Sequence, residues 1–349
     1  MENTPEILLL DATLRDGGQG LEDGYKNQFY DSRFGCELIS DTIAKLVSSD
    51  IDIVELGAIG PSVDDKSMFS IYQNIEDLSK TLPINRNPKQ MYVGLYIGPD
   101  TDIAHIPIWN PSLVEGVRVI LRYSELKKSI DYCAALAKKG YKVFVQPMLT
   151  MRYTNDELDY ILESSNEMGA YAVYFVDSYG YMTPDDVDRL FDYYDQHLNS
   201  DICMGFHAHN NMNMAYSNVL HFIQKNTRRT LIIDSCIQGI GQGAGNLQTE
   251  LILPYLNEKI GKAYNYDAVL ELCEIYEKRF LHDNEWGYSI TRLLPAIHHA
   301  AYKYGPILYK RYGMSYPEIN EFLKWMPELD KQRYTDSRTQ ELLNEFKQR

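Results

Sequence analysis

Eight times between residues 7 and 236, a strand-length run of apolar, β-branched or aromatic residues gives way to a longer amphipathic stretch. That alternation is the mark of repeated βαβ units, whose strands must lie parallel because each returns to the sheet through a helix. The strand runs fall at 7–12, 51–56, 91–97, 116–122, 141–147, 171–176, 202–207 and 230–236. The stretches between them carry helix punctuation. Residues 124–139 end in Lys138-Lys139-Gly140, a positive last turn and a C′ glycine. Thr154 stands three residues before Glu157 as a capping box, and Thr183-Pro184 supplies a cap residue and an N1 proline. Eight units in about 260 residues predict a closed TIM (β/α)8 barrel, since a doubly wound sheet more often has five or six strands. After Gly261 the strand runs stop, and 266–281, 288–304, 316–325 and 339–347 read as helices, with 326–334 as a polar connection. The expectation is an α/β barrel over 1–261 followed by a helical C-terminal segment over 262–349.

Charge and cysteine content narrow the function classes. Among 349 residues, 34 are basic and 49 acidic, a net charge of -15 that repels phosphate backbones and anionic membranes. Neither nucleic acid nor a membrane is expected as a partner. The five cysteines (Cys36, Cys133, Cys203, Cys236 and Cys273) are odd in number and widely spread, which fits a reducing cytoplasmic compartment. The opening MENTPEILLL lacks the basic start of a signal peptide, and no apolar run approaches the roughly 18 residues that span a bilayer.

Barrel enzymes carry their chemistry where the strands end, and three strand ends here hold reactive side chains. The first reads Asp11-Ala12-Thr13-Leu14-Arg15-Asp16-Gly17-Gly18-Gln19, the seventh His207-Ala208-His209-Asn210, and the eighth is followed by the glycine-rich 238–246 ending at Asn246. His207 and His209 at i and i+2 on a strand share a face and can grip a metal ion between their imidazoles; taken alone, such a pair is as often two unliganded histidines. Asp16 is placed to complete the site, because the first strand neighbours the eighth in a closed barrel. Arg15 and Asp16 would face opposite ways on a regular strand, and Gly17-Gly18 is read as the bend that relaxes this. Arg15 then suits oxyanion stabilisation, and Glu55, near the end of the second strand, suits holding that arginine; a surface ion pair and an ordinary barrel-mouth residue are the plainer readings. Gly239, Gly241 and Ala244 fit G-x-G-x-x-A, yet the fingerprint belongs in a first βα turn with an acid about 20 residues on, and here helix-like residues follow. A loop closing over the site and presenting Asn246 at a helix start is the expectation.

Taken together, Asp11-x-Thr-Leu-Arg-Asp-Gly, His207-x-His209-Asn210 and Gly241-x-Gly-Ala-Gly-Asn246 resemble the DRE-TIM metallolyase (HMGL-like) superfamily. Its members include 4-hydroxy-2-oxovalerate aldolase, hydroxymethylglutaryl-CoA lyase and the isopropylmalate, homocitrate and citramalate synthases. The resemblance covers roughly residues 5–260 and is nearest to the 4-hydroxy-2-oxovalerate aldolase-like proteins. It implies that Asp16, His207 and His209 bind a divalent metal with Asn246 as a further ligand or neighbour. Arg15 would stabilise an enolate oxygen, Glu55 would orient Arg15, and Ser178 would touch the substrate carboxylate. Mn²⁺ is placed first, with Mg²⁺, Co²⁺ and Zn²⁺ as alternatives that mixed N/O ligation also suits.

The implied reaction is aldol cleavage or formation at a 2-oxo acid. Two departures stand against a direct transfer of the family pattern. Gln19 occupies the position three residues after the metal-binding Asp where the aldolases carry an acid/base histidine, and the 238–246 loop lacks the cysteine of the hydroxymethylglutaryl-CoA lyases. Tyr96, Tyr123, Tyr179, His298 and His299 are the candidates for the missing proton carrier. A Claisen enzyme condensing an acyl-CoA with a 2-oxo acid, a non-catalytic metal-binding barrel and a nucleotide-dependent oxidoreductase are the alternatives. A homodimer is expected through the tyrosine- and leucine-rich C-terminal stripes, and an aldehyde dehydrogenase partner would fit an aldehyde product.

Overall fold

The structure is a computed structural model and describes residues 5–29, 31–62, 68–280 and 286–348. Eight parallel strands form the barrel: β1 (Ile7–Asp11), β2 (Ile53–Ile59), β3 (Met91–Tyr96), β4 (Gly116–Leu121), β5 (Lys142–Pro147), β6 (Ala172–Asp177), β7 (Cys203–Ala208) and β8 (Leu231–Ser235). Each pairs with the next, and β1 bonds to both β2 and β8, which closes the sheet on itself. An extra two-residue strand, Ile71–Tyr72, lies beside β2. The expected strand positions hold to within a few residues; β2 alone slides three residues toward its C-terminal end, where a register shift after Glu55 kinks it against β3.

The helix signals also act as written. The helix Leu126–Lys138 stops at Lys139 and Gly140, and Gly140 takes φ 92°. Thr154 and Thr183 both cap their helices reciprocally, with Glu157 and Asp186 at N3. Beyond the barrel the expectation needs one change. The stretch read as a single helix over 288–304 is two, Ile290–Ile297 and Tyr304–Lys310, because Pro295 removes a donor from the first and His299 sits at φ 52° between them. The presumed polar connection holds the short helix Glu328–Lys331, and the Lys331 carbonyl accepts from Ala301 N–H.

Two apolar clusters organise the molecule. The first fills the barrel and the layer between strands and helices, and it takes in Val269, Leu272, Tyr276 and Phe280 of the helix Tyr266–Phe280. The second joins Leu294, Tyr304, Ile319, Phe322, Leu323, Leu342 and Leu343 to Leu149 and Tyr179, which follow β5 and β6. The last helices therefore rest on the C-terminal rim of the barrel, over the loops of β5 and β6. Among the described residues no helix is long and apolar enough to cross a membrane.

Candidate metal centre at the barrel mouth

Arg15 and Asp16 lie neither on β1 nor on a glycine bend. They occupy a single π-helical turn, Thr13–Gly17, that leads into the helix Gly18–Lys26, and all five of its residues are buried. Gly17 and Gly18 have ordinary right-handed dihedrals (φ -58° and -59°). The reason for glycine at 18 is space: a Cβ there would stand 1.9 Å from the Phe69 carbonyl oxygen. The wide turn, a form often found at functional sites, points both side chains into the mouth. Arg15 Nη1 donates to Asp16 Oδ1 at 2.7 Å, and Arg15 Nε donates to Glu55 Oε2 at 2.9 Å.

His207 lies on β7, and His209 one residue past its end, in an antiparallel bridge to Asn246. Their rings stand 4.9 Å apart and perpendicular. Ligand atoms of Asp16, His207 and His209 all lie within 4.8 Å of one another, and all three residues are buried. Asn246, three residues before the helix Thr249–Tyr255, donates through Nδ2 to Asp16 Oδ2 at 2.5 Å. The glycine loop that carries it lies against the site. A Cβ on Gly241 would meet Asn246 Nδ2 at 2.1 Å and Asp16 Oδ2 at 2.5 Å. That loop belongs to the barrel mouth, not to a dinucleotide turn.

Three buried polar atoms at this point have no hydrogen-bond partner among the described residues: His207 Nε2, His209 Nε2 and Asn246 Oδ1. Orphaned buried acceptors are costly and rare in folded proteins. Two imidazole nitrogens, an amide oxygen and the Asp16 carboxylate form a donor set that fits a divalent cation. The second nitrogen of each imidazole is fixed, His207 Nδ1 by Asp234 Oδ2 at 2.8 Å and His209 Nδ1 by the Asp177 carbonyl at 2.9 Å. That arrangement turns each free Nε2 toward the site.

Charge agrees with the fit. Burial raises the Asp16 pKa, but the Arg15 guanidinium and the two histidines outweigh it and hold the carboxyl well below the usual range. Burial pulls His207 down to about 4 against the opposing Asp234, so its imidazole is neutral near pH 7. Burial also opposes protonation of His209, yet the Asp16 carboxylate, 3.6 Å away, lifts its pKa above the ordinary value.

The other expected residues fall as follows. Glu55 is fully buried, and its Oε2 also accepts from Arg118 Nη1 at 2.7 Å. Gln19 Oε1 is 3.5 Å from Arg15 Nη1. Ser178 Oγ accepts from Leu149 N at 2.8 Å, which holds Leu149 at φ 63° and leaves the hydroxyl proton to donate elsewhere. The contacts that the five proton-carrier candidates make are with residues other than the metal-ligand group. Tyr96 packs on Tyr132 and Tyr123 on Tyr153. Tyr179 donates to the Gln332 carbonyl, His298 pairs with Asn320, and His299 stacks on Tyr181.

Sequence reasoning missed Arg118 and Asp234, both buried inside the barrel and ion-paired to each other. Their signal was present: a lone Arg in GVRVIL and a lone Asp in LIIDS are charges inside apolar strands, which are rarely buried without partners. Tyr302 was missed too. Its hydroxyl donates to Asp23 Oδ2 at 2.5 Å, and its ring lies over Gly243 of the loop.

A family profile described as HMGL-like matches residues 6–278. The chain is 27% identical over 278 residues to a 4-hydroxy-2-oxovalerate aldolase of Pelotomaculum thermopropionicum, covering 78% of this chain and 75% of that one. A 4-hydroxy-2-oxovalerate aldolase of Burkholderia thailandensis is 29% identical over 252 residues, covering 71% and 67%. Among solved structures, the N-terminal domain of a protein assigned as an aldolase from Bacteroides vulgatus superposes with a TM-score of 0.72 at 22% identity, covering 90% of this chain and 99% of that one. The fold, the profile and the relatives agree: the chain belongs to the HMGL-like family, the DRE-TIM barrels, and is a carbon–carbon lyase in class.

Proposed function

We propose that this protein is a divalent-metal-dependent aldolase that cleaves or forms the C–C bond of a 4-hydroxy-2-oxo acid. The observation that carries the reading is the convergence of three orphaned buried atoms, His207 Nε2, His209 Nε2 and Asn246 Oδ1, beside the Asp16 carboxylate. These four residues would hold the ion. When bound, Mn²⁺, or else Mg²⁺, Co²⁺ or Zn²⁺, supplies Lewis-acid polarisation of the substrate's keto group.

The protein's own groups account for the rest of the reading. In cleavage the C4 hydroxyl gives its proton to water, the C3–C4 bond breaks to leave an aldehyde, its electron pair forms the enolate of pyruvate or a homologue, and water returns a proton to C3. Arg15 keeps Nε on Glu55 and Nη1 on Asp16, so Nη2, which bonds to none of the described residues, is the donor left for the enolate oxygen. Glu55 and Gln19 hold that guanidinium; a carboxamide does not ionise near neutral pH and cannot act as acid or base, so Gln19 serves by position. Ser178 has its hydroxyl proton available for the substrate carboxylate. The barrel 1–261 and the helical segment 262–349 are read as site and cover, in a cytoplasmic homodimer whose aldehyde product suits an aldehyde dehydrogenase partner.

Gln19 in the histidine's place favours a second reading, Claisen condensation of an acyl-CoA with a 2-oxo acid. The two are separated by assaying the metal-loaded protein against a panel of 4-hydroxy-2-oxo acids and against acetyl-CoA with 2-oxo acids. Pyruvate release supports the aldolase. Thiol release that needs a 2-oxo acid, with no pyruvate from any 4-hydroxy-2-oxo acid, would overturn it.

A further inference from the structure

The interior of a parallel barrel is normally filled with Val, Ile and Leu in layers, yet here it holds a fully buried arginine, Arg118 on β4. Every arm of its guanidinium is used. Nη1 donates to Glu55 Oε2 at 2.7 Å and Nη2 to Asp234 Oδ2. With the Gln146 amide turned so that its oxygen faces the guanidinium, that oxygen accepts from Nε at 3.2 Å and Nη2 at 3.1 Å. The guanidinium also lies 4.8 Å over the Tyr174 ring. Buried ion pairs are poor stabilisers compared with apolar packing of the same volume. Retention of this one asks for another reason.

The bonds supply it. Glu55 Oε2 is shared by Arg118 and Arg15, and Asp234 Oδ2 is shared by Arg118 and His207 Nδ1. One unbroken chain, Arg15–Glu55–Arg118–Asp234–His207, thus crosses the barrel interior and returns to the mouth. Tyr174 donates to the other Asp234 oxygen at 3.1 Å. By contrast, His209 Nδ1 is held by a backbone carbonyl. We infer that Arg118 and Asp234 are positioning residues that lock His207 with its Nε2 lone pair facing the cation and, through Glu55, hold Arg15 in register with it. This inference rests on the metal reading above and extends it into the barrel interior.

Asp234→Asn tests it with little change in volume. An amide has one accepting atom; its Nδ2 can face His207 instead and stabilise the tautomer whose Nε2 carries the proton. Metal-free full-length protein is titrated calorimetrically with Mn²⁺, the visible spectrum is recorded with Co²⁺, and melting is followed without metal. For Asp234→Asn the account predicts Mn²⁺ affinity about 10- to 100-fold weaker and an altered Co²⁺ spectrum, with a cooperative melt retained. Tyr174→Phe, which leaves both Oδ2 bonds in place, should stay within about threefold of the wild type, well short of that range. Arg118→Met should follow Asp234→Asn, and if it does not fold, Asp234→Asn decides alone. Folded Asp234→Asn with wild-type affinity and spectrum would overturn the inference and leave the metal reading standing. A wild type that binds none of Mn²⁺, Mg²⁺, Co²⁺ and Zn²⁺ would overturn both.

Discussion

Arg15 is asked to do two things at once: stay fixed between Glu55 and Asp16 and present a free Nη2. A lysine has a single charged nitrogen and no fixed fork. Arg15→Lys should therefore lower kcat by about 10²- to 10³-fold, the range for loss of one oxyanion donor, while Mn²⁺ affinity changes far less; equal losses in both would deny Arg15 a separate role. Asp11 gives a pH test away from the ligands. Burial pushes its pKa up to about 7, against hydrogen bonds from Thr13 and Thr249 that lower it. In the unfolded chain it titrates near the ordinary aspartate value of 3.8, so between about 4 and 7 the folded state holds more proton and this group's contribution to stability falls as pH rises. Asp11→Asn should flatten that decline in thermal melts of the metal-free protein. Parallel slopes for wild type and variant would sink the assignment. Asp16, His207, His209, Arg15 and Asn246 were legible because each stands in a short motif at a strand end. Arg118 and Asp234 were not, because a single charge inside an apolar strand carries no spacing to match.

At the scale of elements, the alternation of period-2 and period-3.6 patterns located all eight barrel strands and most helices. What it missed has a local cause. The π-helical turn Thr13–Gly17 leaves no periodic trace in five residues, so the sequence reads Arg15 and Asp16 as a strand end and credits their convergence to a bend at Gly17-Gly18. The break at 298–303 was hidden because Pro295 still fits the apolar stripe of its helix. The loop after β8 yields a prediction at this scale. Gly241→Ala drives a methyl into Asn246 and Asp16, so Mn²⁺ affinity should fall at least about tenfold, as when support for metal ligands is lost, while the barrel still melts cooperatively. Unchanged affinity would show that the loop does not shape the site.

Across the whole molecule, the C-terminal segment that covers the barrel rim also exposes apolar side chains, among them Tyr288, Ile297, Tyr309, Tyr316 and Leu329. Apolar surface of this kind favours association, and sedimentation at micromolar concentration should find a homodimer; a monomer would refute that assembly. The central claim, a metal-dependent cleavage at the Asp16, His207, His209 and Asn246 cluster, is tested most directly by proton NMR of metal-stripped protein mixed with 4-hydroxy-2-oxo acids. The account predicts pyruvate or its homologue only after Mn²⁺ or another of the named ions is returned, and none from a folded His207→Ala variant. Undiminished pyruvate release by stripped protein, or by that variant, would contradict it.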